Sequence, residues 1–217
     1  MATPKDYLAN AERLVSDAAY LHAQDRARSA ATLIVVALEQ MGEFVEVLTK
    51  VSYPDAEVHM GIFGGRTNAH AKRQDALAGH IMNYAFGAFF VRTMAKRYAD
   101  EFPSNSTEDI ASWIARTQPH SLSDEEQKDQ RSCPDIAAAH LLLHFVRSNI
   151  LKDLREYGLY ENNSRAFSDD EIKQTISLAF KVRAMLERSW VTPEPFKLVG
   201  VNMPEGLKFD LPGNRLA

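Results

Sequence analysis

One segment dominates what this chain can become. In Arg26–Lys50, Ala30, Leu33, Ile34, Ala37, Leu38, Met41, Val45 and Leu48 recur at steps of three or four residues. That spacing is helical. The apolar residues cover so much of the circumference that the helix belongs at the centre of a bundle, with other helices on several sides. The same period returns in four other long segments, and no convincing strand pattern, internal repeat or low-complexity tract interrupts it. The pattern predicts an all-α bundle of four to five long helices.

Local punctuation sets the expected boundaries. Thr3 as N-cap, Pro4 at the first helical position and Asp6 in the first turn start a helix that runs to about His22. Asp25 is placed to cap the helix that begins at Arg26. Val51–Gly65, with Pro54 and three glycines, reads as a loop. A third helix is expected from about Thr67 to Asp100, with Gly79 and Gly87 as places for a bend. Thr107 caps a short helix to Arg116, and the polar Gln118–Arg131 reads as an exposed connection. Pro134 opens a fourth long helix to about Tyr157, with Gly158 as its stop. Ser168 and Glu171 form a capping box for a last helix ending near Trp190. Four prolines and three glycines then make Val191–Ala217 an extended tail. The expected organisation is one helical domain at 1–190 and a tail at 191–217 that packs on the body or on a partner subunit.

A chain of 217 residues can bury a sizeable core. Its single cysteine, Cys133, excludes an intramolecular disulfide framework and suits a reducing cytoplasm. The N-terminus lacks the basic start and apolar stretch of a signal peptide, and no apolar run approaches membrane-spanning length. The expectation is a cytoplasmic protein with no membrane contact. Net charge is −4, which disfavours nonspecific nucleic-acid binding, but the charge is unevenly spread. Between His59 and Tyr98, Arg66, Lys72, Arg73, Arg92, Lys96 and Arg97 face one acid, Asp75. This local excess of +5 marks one anion-attracting region.

Within that region, Arg66–His80 concentrates titratable and cationic groups where the third helix begins. At roughly 100° per residue, His70, Arg73, Leu77, His80 and Tyr84 fall within about 80° of one another. Metal-free RNA cleavage needs a base for the 2′-hydroxyl proton, an acid for the leaving oxygen and a cation for the phosphorane charge. Histidine serves the first two near neutral pH, and arginine supplies the third. The same stripe also reads as an ordinary half-exposed helix face. On the second helix, Arg28, Thr32, Glu39, Glu43 and Glu46 share a stripe that reads as a solvated face. His140 and His144 have the spacing of a metal-chelating pair, for which Glu39, Glu43 or His80 is the available third ligand. With no Glu-x-x-His pair they read first as core-edge histidines, the metal-dependent enzyme is the lesser alternative, and no metal or other cofactor is expected. No phosphate-binding glycine loop and no acyl-transfer serine signature is present.

Three segments, in order, resemble the AbiV-type abortive infection proteins, a phage-defence group assigned to the HEPN superfamily of α-helical domains. The first is Asp25-Arg26-Ala27-Arg28-Ser29-Ala30 leading into Leu38-Glu39-Gln40-Met41-Gly42-Glu43. It is similar to an Ala-rich helix ending in Glu-Glu-x-Gly-Lys. The second is His70-Ala71-Lys72-Arg73, and the third is Glu156-Tyr157-Gly158-Leu159-Tyr160, like a Gly-Leu-Tyr corner before the last helix. Gln40 and Glu43 depart from the family's second Glu and its Lys. Arg73 and His80 fit the outer limit of the superfamily's Arg-x4–6-His pattern, with Gln74 where Asn, Asp or His is commoner.

The resemblance implies a HEPN-like bundle that pairs as a homodimer, an RNA-cleaving cleft formed by Arg/His motifs of two subunits, binding of a phage-encoded activator protein, and shut-off of translation by the bundle during infection. On this reading Arg73, His80 and His70 are the catalytic candidates. Glu39, Lys72, Arg66 and Tyr84 support them or bind RNA. A competing expectation is a binding module without catalysis, in which Glu39 pairs with His70 or Arg73 across helices and simply organises the bundle.

Overall fold

The structure, a computed structural model, describes residues 3–52, 68–98, 100–101, 121–160 and 165–191. Arg66, most of the loop at 51–65, the short helix expected at 107–116 and the tail expected at 191–217, save its first residue, lie outside them. The described residues form seven helices and no strand: α1 Pro4–Ala23, α2 Ala27–Ser52, α3 Ala69–Arg97, α4 Asp124–Ser132, α5 Pro134–Arg147, α6 Ile150–Leu159 and α7 Asp169–Val191. None of them is long and apolar enough to cross a membrane.

The helix that patterning placed at the centre is there. α2 packs against α1, α3, α6 and α7. Ile34, Leu38, Met41 and Phe44 on it have no exposed surface. Each such side chain contributes about 1.5–3 kcal/mol by leaving water. Gly42 sets how closely α3 approaches, because a methyl group there would overlap the Arg73 carbonyl.

The expected caps at two helix starts are also present. Thr3 and Asp6 form a reciprocal capping box at α1, with Pro4 first in the helix. At α7, the Ser168 backbone N–H donates to Glu171 at 2.8 Å, and the Glu171 N–H donates to Ser168 Oγ at 3.3 Å.

Elsewhere the local signals yielded to backbone geometry. Asp25 has φ of 57° and sits in the turn leaving α1, with its N–H donating to the His22 carbonyl, instead of capping α2. The polar stretch expected to be a connection contains α4, opened by a Ser123–Glu126 capping box. The helix expected from Pro134 to Tyr157 breaks at Asn149, whose φ of 55° is left-handed. Asparagine tolerates that region better than most residues, so the chain can turn there and start again. Gly158 is not a stop either, since α6 runs through it to Leu159. The break has a consequence for packing: α5 lies against α3 and α7, whereas α6 lies against α2. It carries Arg155 to the buried end of the α2–α3 contact.

Candidate functional site

Glu39 is the polar centre of this contact. The sequence pattern assigns it to a solvated face, yet it is only 5% exposed, because α3 and α6 both close over that side of α2. Its carboxylate meets three side chains. His70 Nδ1 lies 2.7 Å from Oε2, Gln74 Nε2 donates to Oε1 at 3.4 Å, and Arg155 Nη1 lies 3.9 Å from Oε1. His70 and Gln74 are one helical turn apart on α3, so both reach the same carboxylate. A carboxylate oxygen only accepts, so the bonded His70 nitrogen carries a proton, and in the neutral ring Nε2 is the accepting atom.

One turn along α2 the arrangement repeats. Glu43 pairs with Arg73 at 3.1 Å and accepts from Gln40 Nε2 at 3.5 Å, while Asn10 of α1 donates to Gln40 at 3.1 Å. Tyr7 also bonds to Glu43, whose charge holds the phenol above its ordinary pKa. A polar seam therefore runs from α1 across α2 to the start of α3. Glu39 pairs with His70, as the binding-module expectation had it, and Arg73 takes the neighbouring carboxylate.

The seam opens at the His70 end into a cleft of about 240 Å³ between α3 and α6. His70 and Gln74 line one side, and Lys152, Arg155, Glu156, Leu159 and Tyr160 the other. Lys152 is well exposed and lies 3.7 Å from Glu156. The cleft thus offers an imidazole with one nitrogen fixed by a buried acid, two cations on the facing wall and an exposed phenol. Such a set can take a proton from a hydroxyl and hold an anion beside it.

The other predicted site residues are distributed along α3. His80 lies two turns beyond Arg73, and its Nε2 is 3.1 Å from the Ser189 hydroxyl of α7. Burial pushes its pKa down to about 4, so it is neutral at physiological pH. Tyr84 lies beside the Arg188–Asp135 pair, and burial raises its pKa. Lys72 is exposed. Arg73 and His80 thus face different helices, with different partners, and neither lines the cleft. His140 packs edge-on against Phe86, and His144 Nδ1 lies 3.4 Å from the Ser148 hydroxyl.

Sequence reasoning missed Lys152 and Arg155. The usable signal was the Ser148-Asn149 pair inside an otherwise helical pattern, which marks the turn that brings both residues to α3. Compared with protein-family models, curated proteins and solved structures, the chain matches none of them.

Proposed function

We propose that this chain is an antiphage effector of the abortive-infection type, which binds and cuts RNA in the α3–α6 cleft and so arrests growth or translation. The observation that carries the proposal is the His70–Glu39 pair at the edge of a cleft whose far wall holds Lys152 and Arg155. The AbiV-like order of sequence motifs supports the biological setting.

In the proposed reaction, His70 Nε2 takes the 2′-hydroxyl proton of a bound ribose. The 2′-oxygen attacks the adjacent phosphorus, and the bond to the 5′-oxygen breaks. Lys152 gives that oxygen its proton, and Arg155 balances the charge that builds on the phosphoryl oxygens. The products are a 2′,3′-cyclic phosphate and a 5′-hydroxyl; the proton held by His70 then passes to water and Lys152 regains one from water, so both side chains return to their starting forms. Glu39 keeps the imidazole in the required tautomer and orientation.

A second reading, a non-catalytic module that binds a phage-encoded protein, is favoured by how fully the seam satisfies itself: Glu39, Gln40, Glu43, His70 and Arg73 all have partners within the bundle. A phage challenge separates the two. Bacteria expressing the wild-type chain are expected to release fewer phage than vector controls. His70→Ala is expected to lose that protection at unchanged protein level, whereas His80→Ala, if folded, keeps it. Phage yield equal to vector with wild type overturns the defence role. Full protection by His70→Ala assigns the function to binding, and loss with His80→Ala alone assigns it to the Arg73–His80 motif.

A further inference from the structure

The corner at the end of α6 is fixed from several sides, yet it holds out two apolar side chains to solvent. Gly158 has no room for a side chain, since a methyl group would overlap Thr32 Oγ1 and lie 2.8 Å from the Arg28 carbonyl oxygen. Arg28 Nη1 donates to the Tyr160 carbonyl at 3.3 Å, and the same guanidinium sits 4.9 Å from the Tyr157 ring centre. Packing, a hydrogen bond and a cation–π contact therefore hold this backbone against α2. Leu159 and Tyr160 are nonetheless 50% and 62% exposed, two of the four large apolar side chains so exposed among the described residues. Both line the cleft that contains His70, Lys152 and Arg155.

The held backbone presents an apolar pair beside Lys152 and Arg155, whose carboxylate partners Glu156 and Glu39 lie at the long separations of 3.7 and 3.9 Å, and this suits a ligand that is flat at one end and anionic at the other. A nucleotide has both properties. The cleft's 240 Å³ falls below the roughly 300–1,000 Å³ of pockets that enclose drug-sized ligands, so it has room for one unit and none for a duplex. We propose that the cleft is a one-nucleotide subsite in which an unpaired base stacks on Tyr160 while its phosphate lies toward Lys152 and Arg155. The proposal rests on the RNA reading of the same cleft and adds what that cleft recognises. A free nucleotide and one residue of an RNA chain share this chemistry.

The test uses the full chain and fluorescence anisotropy with two labelled oligomers of equal length, oligoadenylate and an abasic ribose-phosphate chain. Tyr160→Ala is expected to weaken oligoadenylate binding about tenfold or more, the scale of one base–aromatic stack. Tyr160→Phe, which keeps the ring, is expected to bind within about twofold of wild type, and the abasic chain is expected to be indifferent to both changes. Competition by adenosine monophosphate at concentrations similar to oligoadenylate identifies a free nucleotide as occupant, and competition by the oligomer alone identifies RNA. Equal binding of oligoadenylate by wild type and Tyr160→Ala overturns the stacking role and leaves the RNA reading standing. Equal losses for both oligomers also overturn it, because an abasic chain has nothing to stack. Failure of the wild type to bind either oligomer overturns both proposals.

Discussion

Replacing Glu39 with alanine removes the carboxylate on which His70, Gln74 and Arg155 converge. The loss of one partner from a fully buried ion pair costs about 3–5 kcal/mol, while an exposed pair is worth about 0–1 kcal/mol. Here the carboxylate is 6% exposed, but His70 and Arg155 are 39% and 33% exposed, so water can reach the groups left behind. The expected cost is therefore about 2–3 kcal/mol. In a chain of this size that corresponds to a fall in Tm of about 5–10 °C. Urea denaturation is the assay, with a lower midpoint and an unchanged m-value. Glu39→Gln keeps the shape and an acceptor for His70, so it should cost about 1 kcal/mol. A double-mutant cycle with His70→Ala should return a coupling of about 1 kcal/mol. A loss below about 0.5 kcal/mol for Glu39→Ala, or a coupling of zero, refutes the claim that the Glu39–His70 pair ties α2 to α3.

Two glycines inside long helices should respond oppositely. Gly42→Ala drives a methyl into the Arg73 carbonyl and should cost about 3 kcal/mol, whereas a methyl at Gly87 meets nothing within 4 Å and should stabilise by about 0.5–1 kcal/mol, both read by urea midpoint. His80 predicts an acid sensitivity. Its pKa of about 4 in the folded chain lies below the ordinary 6.5, so the unfolded chain binds more protons between these values. Stability from this group is complete above about pH 6.5 and is lost as pH falls toward 4, by about 2 kcal/mol after allowance for partial exposure. A His80→Asn variant should flatten that part of the stability–pH curve, and an unchanged curve contradicts the burial argument. Lys152→Ala should lower the slope of log affinity for single-stranded RNA against log salt by about 0.7, the share of one phosphate contact.

What the sequence made legible was whatever depends on neighbours in the chain. The capping boxes at Thr3 and Ser168 are local hydrogen-bond chemistry, and the central position of α2 follows from its own apolar circumference. The Ser123–Glu126 box was readable by the same rule but lay within a stretch too polar to suggest a helix. Burial of Glu39 was not readable, because periodicity assigns polar residues to the outside unless another helix is known to cover them. That cover depends on α6, and α6 reaches α2 only because Asn149 turns the chain. The basic excess of residues 59–98 was a fair count but an incomplete account of charge. Arg73 and Arg97 are matched by Glu43 and Glu126 from outside that window, and the Arg97 contact holds the Glu126 carboxyl down at about pKa 2. The cations that line the cleft, Lys152 and Arg155, are themselves within 4 Å of Glu156 and Glu39, and they lie far along the chain from the basic segment at 59–98.

The proposed role of His70, held by Glu39 and acting on RNA in the α3–α6 cleft, is decided by the cleavage rate of a labelled single-stranded RNA by the purified full chain in excess chelator, for wild type and His70→Ala. Expected are metal-independent cleavage by wild type, cyclic phosphate at the new 3′ end, and a loss of about a hundredfold or more in His70→Ala, the usual scale of a general base. RNA left intact by wild type, or cut equally by both proteins, contradicts it.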